Sequence, residues 1–384
     1  MKSPTLVRID INVPVVDGRV VEDNLRLQVY SHVLELLSEY SGLVVMAHQG
    51  RPGGRGFIPL EQHSIALRKS LPSGTNIEFV PLKEVFSEQT LRRIRDLREG
   101  DILLLDNVRM LDEEYHFDPS SSAFVDHFKG SIKTCVNDAI SVWHRPHSSL
   151  MCLPYIATTY IGLRSTHELR ALSDILNEKG EDCGIVIGGS KLGKASYLAK
   201  ILKRMEAFTG GLPGQLIARA KGFDLGKNNN NLLKMRLRSD HFELARILVK
   251  RFDVHHPIDF CVVEDGERRT VPLEQMKRSE GLIMDIGEET IKEYASKLQE
   301  KTIKIRVGPL GVYERGFDGG ARLTKMIAGS GLIFVGGDTS QELIRYDLDG
   351  KISSMGGLIL LGGGSFIHGL AGELYPSVDL ILKQ

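Results

Sequence analysis

Short runs of nearly continuous apolar residues alternate along this chain with stretches whose apolar positions recur every three or four residues. A strand covered on both faces reads as the first pattern and an amphipathic helix as the second, so their alternation predicts parallel α/β architecture. In the first half the spacing predicts strands at Leu6–Asp10, Leu43–His48, Ile77–Val80, Asp101–Asn107 and Thr134–Asn137. In the second half it predicts them at Gly184–Ile187, Asp259–Val263, Gly281–Ile286, Thr302–Arg306, Leu332–Val335 and Leu358–Leu361, several of which run directly into glycine. Between the halves, Leu169, Leu172 and Leu176 give Ser165–Leu176 helical spacing, which suits a rigid connector. The run Lys227-Asn228-Asn229-Asn230-Asn231 reads as a surface loop.

Composition narrows this picture. A chain of 384 residues exceeds the comfortable size of one core, so two α/β domains are expected. Lys plus Arg and Asp plus Glu stand at 49 each, so no global field draws the chain to nucleic acid or to an anionic membrane. A small anionic ligand needs only a local cluster. Cys135, Cys152, Cys183 and Cys261 lack metal-type spacing or a disulfide framework, as expected for a reducing cytoplasm. Met1-Lys2-Ser3-Pro4 has no apolar signal core, and no apolar run approaches the ~18 residues of a membrane helix.

The chemistry-bearing motifs of the first half share one location, the carboxyl end of a predicted strand, where open α/β sheets collect ligands. They are Asp10-Ile11-Asn12-Val13-Pro14, His48-Gln49-Gly50-Arg51-Pro52, Asp106-Asn107-Val108-Arg109, and Asn137-Asp138 followed by His144-Arg145-Pro146-His147. Any one of these arginines is by itself an ordinary solvated ion-pair partner. Their repetition at four strand ends predicts a basin in which guanidinium groups bind a small, highly anionic metabolite.

The second half carries Gly188-Gly189-Ser190-Lys191, Gly210-Gly211, Gly308-Pro309-Leu310-Gly311, Gly336-Gly337-Asp338-Thr339 and Gly362-Gly363-Gly364-Ser365. Glycine lets backbone N–H groups approach phosphate oxygens, and a helix start adds a favourable dipole, so these turns suit a nucleotide. Lys191 supplies a point charge, and Asp338 a carboxylate for Mg²⁺. Gly188 to Lys194 also satisfies part of a P-loop, but the next residue is Ala195, which lacks the metal-binding hydroxyl.

In order along nearly the whole chain, these motifs resemble phosphoglycerate kinase. The resemblance rests on Arg8-Ile9-Asp10-Ile11-Asn12-Val13-Pro14, His48-Gln49-Gly50-Arg51-Pro52, Leu105-Asp106-Asn107-Val108-Arg109, Gly188-Gly189-Ser190-Lys191, Lys221-Gly222-Phe223-Asp224-Leu225-Gly226 and Gly336-Gly337-Asp338-Thr339. Gln49 and Asp106-Asn107 look like the archaeal branch. The family implies two Rossmann-like lobes with parallel sheets, joined by an interdomain helix and hinge. Residues 1–160 with the tail 370–384 would form the 3-phosphoglycerate lobe, 161–177 the connecting helix, and 178–369 the nucleotide lobe.

The resemblance further implies reversible phosphoryl transfer between ATP and 3-phosphoglycerate, giving ADP and 1,3-bisphosphoglycerate, with Mg²⁺ on the nucleotide. Asp10, Asn12, His48, Arg51, Arg109 and Arg145 match positions that hold phosphoglycerate. Gly189, Ser190, Lys191, Gly211, Gly308, Pro309, Val312, Glu314, Gly336, Gly337, Asp338 and Thr339 match the nucleotide side, with Glu314 at the ribose, Asp338 at the metal and Lys191 at the phosphates. Gly362, Gly363 and Gly364 would open a helix whose amides face the transferring group. The lobes would close to bring the substrates in line. A monomer or homodimer, acting without nucleic acid or membrane, is implied.

The chain departs from the family at several points. Counted from Gly18, the family's catalytic arginine falls on Leu25, and Arg26 follows. Leu25 shares spacing with Val29, Val33 and Leu36, a predicted buried stripe, so Arg26 substitutes only if the helix starts one residue later or rotates. Val307, Val335 and Leu360-Leu361 replace expected asparagine, glycine and Ser-Thr, and Ala195 replaces a second lysine. These losses define an alternative, a catalytically weak or inactive relative that binds nucleotide or phosphoglycerate. A kinase for another small phosphorylated acid is a third reading, against which the intact Asp10, Asn12, Arg51, Arg109 and Arg145 argue. The pair His255-His256 reads as a loop, and Trp143 as packing beside the His144-Arg145 turn.

Overall fold

A computed structural model of the protein describes residues 3–72, 75–178, 182–189 and 195–384. The chain divides into two compact units, Met1–Ala171 with Glu373–Gln384, and Leu172–Gly372. The division falls inside the helix Leu163–Asn177.

The first unit is built on a six-stranded parallel sheet. Its strands are β1 (Thr5–Arg8), β4 (Leu43–Met46), β5 (Asn76–Val80), β6 (Asp101–Leu105), β7 (Thr134–Asn137) and β8 (Thr158–Ile161), in the order β5-β6-β4-β1-β7-β8. A small hairpin, β2 (Val15–Val16) with β3 (Arg19–Val20), follows β1. Successive side chains alternate between the faces: Val7, Val45 and Leu104 enter one core cluster, while Leu6, Val44, Leu103 and Leu105 enter the other. Both faces are thus covered over the central strands β1, β4 and β6, which is why these read as nearly unbroken apolar runs.

The second unit has a parallel sheet of β9 (Cys183–Ile187), β10 (Glu206–Thr209), β11 (Val254–His255), β15 (Ile303–Val307), β16 (Leu332–Val335) and β17 (Leu358–Leu360). Its order is β11-β10-β9-β15-β16-β17, the doubly wound Rossmann arrangement. In both units the chain leaves its first strand to either side, making a crevice at the carboxyl ends of β1 and β7 and of β9 and β15.

Four expectations are corrected. The predicted strands at Asp259–Val263 and Gly281–Ile286 are not in the parallel sheet. They become β12 (Asp259–Glu264) and β14 (Leu282–Ile286) of a separate antiparallel sheet completed by β13 (Glu267–Pro272). The reason is local: Asp265 and Gly266 both have positive φ, and a two-residue turn of that kind folds the chain straight back. The Lys227–Asn231 run opens a helix, Lys227–Arg236, because Asn229 is fully buried and works as a clamp. Its Nδ2 donates to the carbonyls of Leu225 and Gly281 at 3.0 and 2.9 Å, and its Oδ1 accepts from the Ile283 amide at 2.9 Å.

The third correction concerns the helix Leu25–Ser38, whose buried side is Arg26, Leu27, Tyr30, Val33 and Leu34, while Leu25 and Val29 are half-buried and Leu36 is exposed. Phase is set by the core beneath, which a four-residue apolar spacing alone does not identify. Fourth, His255 ends β11 rather than lying in a loop. Its Nε2 is 2.7 Å from Glu206 Oε1, and its ring stacks on Phe208.

The carboxyl terminus returns to the first unit. Trp143 is fully buried, donates from Nε1 to Asn137 Oδ1 at 2.6 Å, and packs edge-on against Tyr375. The Thr159 amide donates to Gln384 Oε1 at 3.0 Å. Asp138, just past β7, accepts from the amides of Ser165 and Arg164 at 2.7 and 3.3 Å and so caps the helix Leu163–Asn177.

Candidate functional site

The motifs of the first half converge at the carboxyl end of the first sheet. Asp10 lies just past β1 and is almost fully buried. Its Oδ1 accepts from the Asn12 amide at 3.0 Å, and its Oδ2 is ion-paired with Arg26 and accepts from Ser141 Oγ. Asn12 Oδ1 in turn accepts from the Gly50 amide at 2.8 Å, tying the loop after β1 to the loop after β4.

The same β4 loop is held by Gln49, whose side chain accepts from the Val13 amide and donates to the carbonyls of Val13 and Gly56. Asn107, after β6, donates to the Gln49 and Ile58 carbonyls at 2.7 and 2.9 Å. Gly50, at φ +68°, allows the turn: a Cβ there would stand 2.4 Å from the Gly56 carbonyl oxygen. Gln49, Asp106 and Asn107 are therefore the frame that aims the loops, consistent with their burial.

Against this frame stand the cations. Arg8 is fully buried. It donates through Nε to Ser149 Oγ at 2.9 Å and through a terminal nitrogen to His48 Nδ1 at 3.1 Å. Ser149 Oγ passes a hydrogen bond to Glu114 Oε1 at 2.9 Å, so one buried carboxylate faces several positive groups. Since the arginine can only donate, His48 carries its ring proton on Nε2. Burial, then the charges of Arg8, Arg109, Arg26 and His147, holds the His48 imidazole neutral, well below its ordinary pKa.

Arg109 donates to the Gly50 carbonyl at 2.6 Å, and its Nε is buried without a hydrogen-bond partner. Burial, followed by the charges of Arg8 and Arg145, pushes its pKa down to about 10. Arg145 is half-buried and is depressed in the same direction by burial and by the charge of Arg51, which is itself exposed. His147 is pushed down to about 3 by burial and by Arg109, Arg8, Arg145 and His144. These groups lower one another because they form a cluster with too few anions, and an anionic ligand would relieve that repulsion.

The helix Leu25–Ser38 decides which residue joins this cluster. Asn24 is its N-cap, with Oδ1 accepting from the Arg26 amide at 3.0 Å. That fixes Leu25 as the first helical residue and points Arg26, 8% exposed, at Asp10.

In the second unit the glycine turns gather around β9 and β15. A Cβ on Gly188 would lie 2.3 Å from the Pro309 carbonyl oxygen, and one on Gly308 would lie 2.7 Å from the Gly188 backbone. The Gly189 amide donates to the Pro309 carbonyl and the Gly211 amide to Leu310. Beside them a cavity of about 300 Å³ is lined by Gly189, Gly211, Gln215, Pro309, Val312 and Glu314, among others. Leu212, Leu232, Phe260, Met284 and Leu310 give it apolar walls, and Gln215 and Asp285 polar ones. Burial raises the Asp285 carboxyl to about 7.

Thr339 is nearly fully buried, and its Oγ1 accepts from the Gly308 amide at 2.7 Å while donating to the Val335 carbonyl at 3.1 Å. It joins two of the turns. Gly337 and Gly363 begin the helices Gly337–Arg345 and Gly363–Leu370, with Gly336 and Gly362 as N-caps. A Cβ on Gly336 would come within 3.6 Å of Gly363, so the two helix starts are adjacent. Gly364 is in the first turn of the second of these helices.

Ser190, Lys191 and the rest of the partial P-loop up to Lys194 lie outside the described residues, as does the side chain of Asp338. The departures at Val307, Val335 and Leu360 share one cause of location. Ile187, Val307, Val335 and Leu360 are successive cross-strand partners, so they make one apolar row beneath the turns.

Sequence reasoning missed Ser149, Glu114 and Gln215, which carry no motif and are joined to their sites only by folding. Comparisons with known proteins give the family and the fold. The family model of phosphoglycerate kinase matches residues 2–373. A phosphoglycerate kinase of Methanopyrus kandleri is 31% identical, covering 98% of this chain and 94% of its own, and one of Sulfurisphaera tokodaii is 33% identical over 98% and 92%. The crystal structure of phosphoglycerate kinase from Pyrococcus horikoshii superposes with a TM-score of 0.87 at 27% identity, covering 99% of this chain and 96% of that one. With the doubly wound sheets, the arginine cluster and the glycine turns already in view, the chain belongs to the phosphoglycerate kinase family.

Proposed function

We infer that this protein transfers a phosphoryl group reversibly between ATP and 3-phosphoglycerate. The observation that carries the reading is the cluster of cations gathered at the end of the first sheet, where Arg109 and Arg145 are depressed, and His48 and His147 held neutral, by burial and by their positive neighbours. Such a basin suits a ligand bearing both phosphate and carboxylate.

In this reading Asp10, Asn12, His48, Arg51, Arg109 and Arg145 hold 3-phosphoglycerate. Arg26 stands in for the family's catalytic arginine and stabilises charge on the transferring group. The cavity beside Gly211 and Val312 takes the nucleoside, with Glu314 at its rim for the ribose. Gly189, Ser190, Lys191, Gly308, Pro309, Gly336, Gly337 and Thr339 form or support the phosphate-facing turns, and Gly362 to Gly364 offer helix amides to the phosphoryl group. In-line transfer requires the bound substrates to meet, and the helix Leu163–Asn177 is the hinge candidate.

Asp338, in the first turn of the helix Gly337–Arg345, is the residue for Mg²⁺. Among the described residues no cluster of three or more His, Cys, Asp or Glu groups forms a metal cage. A single carboxylate fits an ion that reaches the site on the nucleotide, keeping water and phosphate ligands. When bound, the ion neutralises phosphate charge. Among the described residues no helix is long and apolar enough to cross a membrane. We place the protein in the cytoplasm, as monomer or homodimer.

The test is a coupled assay with ATP, Mg²⁺ and a panel of small phosphorylated acids. Turnover with a preference for 3-phosphoglycerate is expected. Binding of both ligands without turnover, or a preference for another acid, would overturn the assignment.

A further inference from the structure

Glu114 sits in the turn Asp112–Tyr115, is fully buried, and gives both of its side-chain hydrogen bonds to one residue. Its Oε2 accepts from the Ser149 amide and its Oε1 from the Ser149 hydroxyl, each at 2.9 Å. That hydroxyl accepts from Arg8 Nε at 2.9 Å, and the guanidinium continues to the Ile9 carbonyl and, at 3.1 Å, to His48 Nδ1. His147 Nδ1 lies 3.4 Å from Glu114 Oε1 but makes no hydrogen bond, and Asp10 is taken by Arg26, so Ser149 is the link between Glu114 and Arg8.

The direction of this relay is fixed. A guanidinium only donates and a carboxylate only accepts, so Ser149 passes its proton toward Glu114, and His48 takes the Arg8 hydrogen bond on an unprotonated Nδ1. Burial works against the Arg8 charge, and Glu114 is the foremost group sustaining it. At the far end, His48 Nε2 makes no hydrogen bond among the described residues and is not sealed from solvent, so it is the ring nitrogen open to a ligand. We propose that Glu114 is a positioning residue which, through Ser149 and Arg8, fixes the His48 ring so that Nε2–H is presented as a donor to the anion in the basin. The proposal rests on the reading that His48 holds 3-phosphoglycerate.

Ser149→Ala is the discriminating variant. It keeps the amide bond that ties Glu114 to the helix Ser148–Met151 and removes only the hydroxyl link to Arg8. Glu114→Gln removes the charge with little change of shape. Nitrogen NMR of the ligand-free full chain with isotope-labelled histidine rings reads the His48 tautomer, its signal assigned by its loss in His48→Gln. A single Nε2-protonated form is expected in the unaltered protein, and a mixture of tautomers in both variants. KM for 3-phosphoglycerate should rise about fivefold to tenfold with kcat held within about threefold, because binding rather than the chemical step is altered. On the His48→Gln background, Ser149→Ala should add less than about twofold, since residues that act through one another are not additive.

An unchanged tautomer in either variant, or an effect of Ser149→Ala that adds in full to that of His48→Gln, would overturn the proposal. Each variant reads the relay at a different link, so a failure of one to fold leaves the other to decide. If His48→Gln itself leaves KM unchanged, the placing of 3-phosphoglycerate at His48 is what fails. If His48→Gln raises KM while Ser149→Ala and Glu114→Gln do not, only the role of Glu114 fails.

Discussion

The Arg26 guanidinium is ion-paired with the Asp10 carboxylate, joining the second residue of a helix to the residue pair that follows β1. Asn24 caps the helix so that Leu25 is its first residue. One residue turns a helical side chain by about 100°, and in this phase it is Arg26, not Leu25, that reaches Asp10.

Arg26→Ala is therefore expected to lower kcat by about 10²–10³, the loss typical of one preorganised donor at a transition state. Leu25→Ala, at a half-buried position, should lower it less than tenfold. Steady-state kinetics beside a thermal melt of each variant separates catalysis from folding. Equal, small effects of the two substitutions would sink the assignment of Arg26.

The basin carries mutually repelling cations, so removing one should impair the ligand more than the fold. Arg51→Met and Arg145→Met should each weaken 3-phosphoglycerate binding at least tenfold, since a guanidinium–anion contact is typically worth about 1.5–3 kcal/mol. The Tm of the ligand-free protein should stay level or rise, because the charge of Arg51 already disfavours that of Arg145. Calorimetry and differential scanning on the same samples check both halves.

Asn229 is expected to be a large contributor to stability despite sitting in a polar tract. Asn229→Ala leaves the Leu225 and Gly281 carbonyls and the Ile283 amide without their partner, at a cost of roughly 2–4 kcal/mol. Asn231→Ala, at an exposed neighbour, should stay within about 0.5 kcal/mol. Urea denaturation of the two variants gives the comparison.

Stability should fall on acidification below about pH 6.5. His63 is fully buried, hydrogen-bonded to Gln49 Oε1 at 3.0 Å and pushed down to about 4 by burial, and His147 is pushed down to about 3. Below the unfolded histidine value the unfolded chain binds protons that the folded protein refuses, so the folded state loses ground as pH drops toward those lowered values. For His63 alone the loss amounts to about 3 kcal/mol by pH 4. Tm measured against pH for the unaltered protein and His63→Gln should show a flatter acid limb in the variant.

Asp285 acts with the opposite sign. Raised to about 7, it keeps a proton in the folded protein that the unfolded chain has released above about pH 4, so its contribution declines as pH rises from 4 to 7 and is flat beyond. The difference in stability between the unaltered protein and Asp285→Asn should follow that curve. A difference independent of pH would contradict it.

Much of the architecture was legible in the chain because parallel strands buried on both faces must be apolar throughout. The central strands of the first sheet, β1, β4 and β6, are written that way, and Asp10, His48 and Arg109 follow them closely, whereas the edge strand β8, with two exposed positions, carried no such signal. Less legible were segments whose structure depends on distant partners. Asn229 is helical and buried because the Gly281 and Ile283 backbones meet it, and β12 and β14 left the parallel pattern because one tight turn intervened.

The sequence by itself determined the central strands of both sheets, the arginines and glycines that follow them, and the family. Those features depend on local periodicity and on residue types whose chemistry is intrinsic. Only the tertiary structure decided that Arg26 rather than Leu25 reaches Asp10, that His48 is neutral beside Arg8, and that the Asn229 amide meets three backbone partners. Helix phase, proton position and the satisfaction of a buried amide all depend on atoms brought near by folding, and no spacing along the chain encodes them.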